Sequence, residues 1–76
     1  MKELLTTALH ALVDHPGDLR IGALEGDKIV LFDVRCHPED VGKIIGKGGK
    51  TISALRSLLA AVASRTGKRL VLEVAE

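Results

Sequence analysis

The chain has 76 residues, with eleven Lys plus Arg against ten Asp plus Glu, 46% apolar residues, one phenylalanine as its sole aromatic and one cysteine. So short a chain buries only about 60% of its unfolded surface, which disfavours an elaborate enzyme built round a large cavity. The apolar fraction excludes a disordered tail, and the single Cys36 excludes a disulfide framework and a four-cysteine zinc site.

Leu4, Ala8 and Leu12 with Leu5, Leu9 and Val13 form two rows at spacing four, which predicts a helix over about residues 2–14 ended by His15-Pro16-Gly17. Glu3, His10 and Asp14 interrupt this stretch, so it does not read as the apolar core of a secretory signal. No apolar run approaches the roughly 20 residues needed to span a bilayer, and no membrane association is expected. The expected location is the cytoplasm, where a lone thiol stays reduced. Residues 19–24 and 29–35 read as strands joined at Glu25-Gly26-Asp27, where glycine and aspartate are expected to supply the positive φ of a tight hairpin. In the second strand Val30, Phe32 and Val34 alternate with Leu31, Asp33 and Arg35, and the first set is the predicted core face.

His37-Pro38-Glu39-Asp40 has the signs of a helix start, with an early proline and two carboxylates beside the positive end of the helix dipole. Val41, Ile44 and Ile45 give this short helix an apolar face before it runs into Gly46-Lys47-Gly48-Gly49. A longer helix follows, marked by Ile52, Leu55, Leu59 and Val62 and closed at Thr66-Gly67. A last strand takes residues 69–74, with Leu70, Leu72 and Val74 on one side. The order helix, strand, strand, helix, helix, strand predicts one α+β domain over residues 1–76, three strands covered by three helices.

Charge is divided along the chain. Residues 1–40 carry four bases against eight acids, whereas residues 41–72 carry seven bases and no acid. A basic segment of this kind either is a solvated helix face or attracts polyanions, of which nucleic acid is the commonest in cytoplasm. The glycine loop lies inside it. Three glycines in four positions lose much backbone entropy on ordering, so a conformation or a close approach must require them. Joining the end of one helix to the start of the next, the loop can present amide N–H groups and a positive dipole end to an anion, with Lys43, Lys47 and Lys50 adding mobile charge. A nucleotide-triphosphate loop ending at Gly49-Lys50-Thr51 would need its first glycine at Ile44, and a dinucleotide fingerprint starting at Gly46 meets Thr51 where its third glycine belongs. Neither is preceded by a strand, and both fail.

Ile44-Ile45-Gly46-Lys47-Gly48-Gly49-Lys50-Thr51-Ile52 resembles the core of the KH domain, whose Gly-x-x-Gly loop clamps about four backbone nucleotides of single-stranded RNA. The signature glycines are Gly46 and Gly49, and the predicted element order resembles the bacterial type II arrangement over the whole chain. The resemblance implies a mixed three-stranded sheet backed by three helices and a narrow groove beside the loop. RNA-binding residues implied by it are Lys43, Ile45, Gly46, Lys47, Gly48, Gly49 and Lys50, with Lys68 and Arg69, in the turn before the last strand, as further phosphate contacts. With Phe32 as the sole aromatic, base stacking on an aromatic platform is excluded, and Ile44 or Ile45 is expected to supply part of an aliphatic floor. Similarity to small stand-alone bacterial KH proteins further implies an RNA chaperone or post-transcriptional regulator. It implies action with a larger KH-containing partner or as a homodimer, and a link to the cell envelope and cell length.

Other chemistry is weakly signalled. Cys36-His37 looks like a nucleophile beside a base, but neighbours at a strand end point in opposite directions and no third group orients them. His10, His15 and His37 lack the sequence spacing of a metal set, so neither metal nor cofactor is expected. Asp33 and Glu73 read as solvent-facing strand residues. The leading expectation is a non-enzymatic RNA-binding module. The alternatives are a protein-interaction or dimerisation module with incidental RNA contact, and a DNA binder.

Overall fold

The computed structural model describes residues 1–75. Its elements are α1 (Lys2–Leu12), β1 (Arg20–Glu25), β2 (Ile29–Arg35), α2 (Pro38–Ile45), α3 (Lys50–Ser64) and β3 (Arg69–Ala75), with single 3-10 turns at Pro16–Asp18 and Lys47–Gly49. The sheet order is β1-β2-β3. β1 pairs antiparallel with β2, placing Ala23 opposite Phe32, and β3 pairs parallel with β2, placing Leu72 opposite Phe32. This is the mixed α+β arrangement expected of a type II KH domain. No helix among the described residues is long and apolar enough to cross a membrane.

The alternation in β2 decides which face is covered. Val30, Phe32 and Val34 are buried and meet Leu5 and Leu9 of α1, Ile44 of α2, Ile52 and Leu59 of α3 and Leu72 of β3 in one apolar cluster. Each such side chain contributes about 1.5–3 kcal/mol when withdrawn from water, and Phe32 is core rather than a base-stacking surface. Leu70 and Val74 flank Leu72 on the same side, half-buried against that cluster.

Three local expectations are corrected. The first helix stops at Leu12 rather than residue 14, because Val13 is extended (φ −90°, ψ 151°) and the amides of Asp14 and His15 leave the helix to donate to the Asp40 carboxylate. Among the described residues, no non-glycine has positive φ, and neither does Gly26. The β1–β2 hairpin instead closes with the Gly26 amide donating to the Ile29 carbonyl at 2.8 Å. On α3 the position expected of Val62 is filled by fully buried Ala63, leaving Val62 exposed, since a small residue lets the end of the helix lie close to the sheet.

Asp40 is the joint of the fold. Placed by its sequence in the first turn of α2, its side chain is fully buried rather than merely beside the helix dipole. One carboxylate oxygen accepts the Asp14 amide at 3.1 Å and the other the His15 amide at 2.9 Å; the His15 Nδ1 and the Lys43 Nζ lie at 3.3 and 3.4 Å. Burial opposes ionisation, but the two backbone amides, Lys43 and His15 outweigh it and bring the carboxyl down from 3.8 to about 2. A group whose native value is depressed stabilises the fold fully above its unfolded value, and that stabilisation is withdrawn as pH falls from about 4 to about 2. Urea midpoints measured from pH 7 downward should therefore fall most steeply in that window, and Asp40→Asn should lower the midpoint at pH 7 while flattening the acid limb.

Candidate nucleic-acid interface

The glycine loop is built by three backbone decisions. The Gly46 amide donates to the Gly42 carbonyl at 2.8 Å, ending α2, and the Gly46 carbonyl accepts the Gly49 amide at 3.0 Å, closing the turn. Gly46 has φ 79° and ψ 167°, a region open essentially to glycine alone. Space makes the same demand: a Cβ on Gly46 would collide with Thr51 Oγ1 and lie 2.8 Å from the Thr51 amide nitrogen. Gly48 (φ 64°) and Gly49 (φ 76°) are left-handed, but a Cβ on either would meet nothing within 4 Å. Gly46 is thus required by packing, whereas Gly48 and Gly49 turn the chain while leaving room for another molecule.

The charge around this turn is graded. Lys47, Gly48 and Lys50 are exposed, and no side chain caps the N-terminus of α3, so two exposed lysines lie within one turn of the positive end of that helix. No ion pair is formed by Lys47 or Lys50 among the described residues. Lys43 is different: its Nζ lies 2.9 Å from the Asp14 carboxylate and 3.4 Å from that of Asp40, and the Asp14 hydrogen bond chiefly raises its pKa. The expectation of a mobile charge at Lys43 is corrected, because this ammonium is held at the α1–α2 joint.

Ile44 is fully buried, and Ile45, directly before Gly46, is half-buried at the edge of the core. Of the two it is Ile45 that retains accessible surface. Lys68 is ion-paired with Glu25, and that hydrogen bond lowers the Glu25 carboxyl. Arg69 is exposed as the first residue of β3, its amide donating to the Lys28 carbonyl at 2.9 Å. Lys68 and Arg69 belong to the far end of the sheet, at the β1–β2 hairpin, while the five residues from Ile45 to Gly49 and Lys50 form one continuous segment.

Two contributors escaped the sequence reading. Arg56 donates from Nε and Nη2 to the Leu72 carbonyl at 3.3 and 3.0 Å, fastening α3 to the edge strand β3. An apolar groove lies between α1 and α3, lined by Ala8, Leu12, Ala54, Leu55 and Leu58 and reaching Lys50 and Thr51 at the end of the loop. The expected scatter of the histidines is also corrected: folding stacks His15 on His37, ring centroids 3.9 Å apart. Cys36 is buried while the adjacent His37 is half-exposed, and Asp33 and Glu73 are register neighbours on the outer face of the sheet.

A family model described as "KhpA/KhpB, KH domain" matches residues 2–74. The chain is 43% identical over 76 residues to a protein of Chlamydia pneumoniae named "RNA-binding protein KhpA", covering 100% of this chain and 97% of the relative. Proteins of the same name are similar at 38% identity in Aquifex aeolicus (100% of this chain, 96% of the relative) and 36% in Clostridium acetobutylicum (97% and 99%). No solved structure gives a significant match.

The two kinds of glycine are separable by substitution. Gly46→Ala should destabilise the fold by more than about 2 kcal/mol, combining a disfavoured φ with collision against the backbone. Gly48→Ala should cost only about 1–2 kcal/mol, the left-handed penalty alone. Urea denaturation of the two variants measures the difference, and equal losses would contradict the assigned role of Thr51.

Proposed function

The chain belongs to the KhpA/KhpB KH-domain family, and on that footing we propose that it binds single-stranded RNA through its glycine loop. The family is not an enzyme family. The observation that carries this reading is the pairing of open space at Gly48 and Gly49 with exposed, unpaired Lys47 and Lys50 at the uncapped start of α3. A phosphodiester can approach the backbone there without meeting a side chain, and two ammonium groups offset its charge. Gly46 fixes the turn and Ile45 offers an aliphatic surface to a base. Lys43 acts indirectly by holding α2 in place, and Lys68 and Arg69 serve a longer RNA that continues past the sheet end.

With the small footprint of one KH unit, the chain acts as an RNA chaperone or post-transcriptional regulator in the cytoplasm, with avidity supplied by assembly. The α1–α3 groove favours a protein partner beside the RNA site, either a KhpB-like protein or a second copy of this chain, because its apolar lining lies next to Lys50. A role in cell-envelope and cell-length control follows from the family resemblance.

Fluorescence anisotropy with a short single-stranded RNA tests the loop assignment. Two to three phosphate contacts on a single strand predict a log–log salt slope of about −1.4 to −2.1. Gly48→Asp should weaken binding by about tenfold or more, as should Lys47→Asp with Lys50→Asp, while circular dichroism is unchanged, since aspartate tolerates left-handed φ. Unaltered affinity in folded variants would refute the loop as the clamp, and equal affinity for DNA of the same sequence would show that the 2′-hydroxyl is not read.

A further inference from the structure

A second cluster of chemically capable groups lies away from the glycine loop, where the segment following α1 crosses the first turn of α2. His15, His37 and Glu39 each bring one ligand-type atom within 4.8 Å of the other two. Glu39 Oε1 stands 3.5 Å from His15 Nε2 and 3.8 Å from His37 Nδ1. These separations are too long for good hydrogen bonds. They are close to the roughly 3.4 Å that separates neighbouring ligands of a tetrahedral ion with bonds of about 2.0–2.2 Å. We propose that His15, His37 and Glu39 form a binding site for a zinc-like divalent cation at the junction of α1 and α2.

The arrangement behind His15 supports this. Its Nδ1 lies 3.3 Å from the fully buried Asp40 carboxylate, which also accepts the His15 backbone amide at 2.9 Å. An imidazole whose Nδ1–H donates to a carboxylate presents the lone pair of Nε2 outward, the support that metal-ligating histidines ordinarily have. That Nε2 is the atom facing Glu39. On the opposite ring, the His37 Nδ1 lone pair accepts the Glu39 amide at 3.0 Å, a contact that an ion must displace. The Glu39 and Asp40 carboxylates lie directly against His15, and Lys43 is occupied by Asp14 and Asp40. These two carboxylates favour a cation between the rings and Glu39. Two imidazoles and one carboxylate suit zinc, nickel or copper better than magnesium or calcium, and three protein ligands leave one position for water.

Occupancy changes the site in a defined way. The two rings are stacked with planes 13° apart, and in-plane lone pairs of parallel rings do not converge on one ion. Binding must fan the rings apart and replace the helix-capping contact of His37 by a bond to metal. Both movements are local, because the His15, His37 and Glu39 side chains are 38%, 31% and 71% exposed. The ion would then tie the chain entering β1 to the helix that leads into the glycine loop.

The test is calorimetric titration of the chelator-treated 76-residue protein with zinc chloride near neutral pH, followed by the histidine ring ¹⁵N signals of the wild type. One ion per chain is expected, with the ring signals of His15 and His37 shifting and that of exposed His10 unmoved. His15→Gln and His37→Gln should each weaken zinc binding by at least about tenfold, and His10→Gln should leave it unchanged. The proposal is overturned by an absence of saturable binding, by affinity that survives both histidine substitutions in folded protein, or by ring shifts confined to His10. The wild-type ring signals decide the matter even where a variant folds poorly, and none of these outcomes depends on RNA binding.

Discussion

The close approach of Gly46 to Thr51 is the constraint on which the candidate site depends. A Cβ at Gly46 would stand 2.8 Å from the Thr51 nitrogen, so only a residue without one lets α2 end and α3 begin so near one another. That proximity compresses the connection into one 3-10 turn, Lys47–Gly49, and pushes Lys47 and Gly48 outward. The same turn leaves the first turn of α3 without a side-chain cap. Loop shape, the exposure of Lys47 and an uncapped helix start therefore follow from one packing demand.

A loop of this kind is useful only if its two helices are held still. On the α3 side, Arg56 fastens the helix to the Leu72 carbonyl, and Ile52 and Leu59 are buried against the sheet. On the α2 side, Asp40 gathers two backbone amides, His15 and Lys43 into one buried cluster. This also explains the uneven charge along the chain. Acids of the first half neutralise Lys43 and Lys68 of the basic half, through Asp14, Asp40 and Glu25, and leave the lysines of the loop without such partners. The protein thereby keeps a near-neutral total while concentrating uncompensated positive charge where a polyanion can reach it.

Element order, the β2 core face and the glycine loop were legible in the sequence because each is a local pattern: alternation in Val30, Phe32 and Val34, spacing of four in Leu5 and Leu9, and three glycines in a row of four. Pairwise consequences of folding were not. Nothing local announces that Asp40, an ordinary residue for a first helical turn, reaches the amides of Asp14 and His15 and so shortens the first helix. Lys43 looks like a free cation until Asp14 is brought beside it. The individual roles of the glycines depend on what each faces, and Thr51 distinguishes Gly46 from Gly48 and Gly49. The approach of His15 to His37 likewise depends on how α1 is joined to α2, and the turn at Gly26 closes without the positive φ that its composition suggests.

The most direct measurement is a ¹H–¹⁵N correlation titration of the wild-type protein with a short single-stranded RNA. Binding at the loop predicts that the largest amide shifts fall on Gly46 to Thr51, with smaller ones on Ile45, while the outer face of the sheet around Asp33 and Glu73 stays unmoved. Shifts concentrated on the α1–α3 groove or the sheet, with the glycine amides unaffected, would contradict the account and make the loop a structural connection.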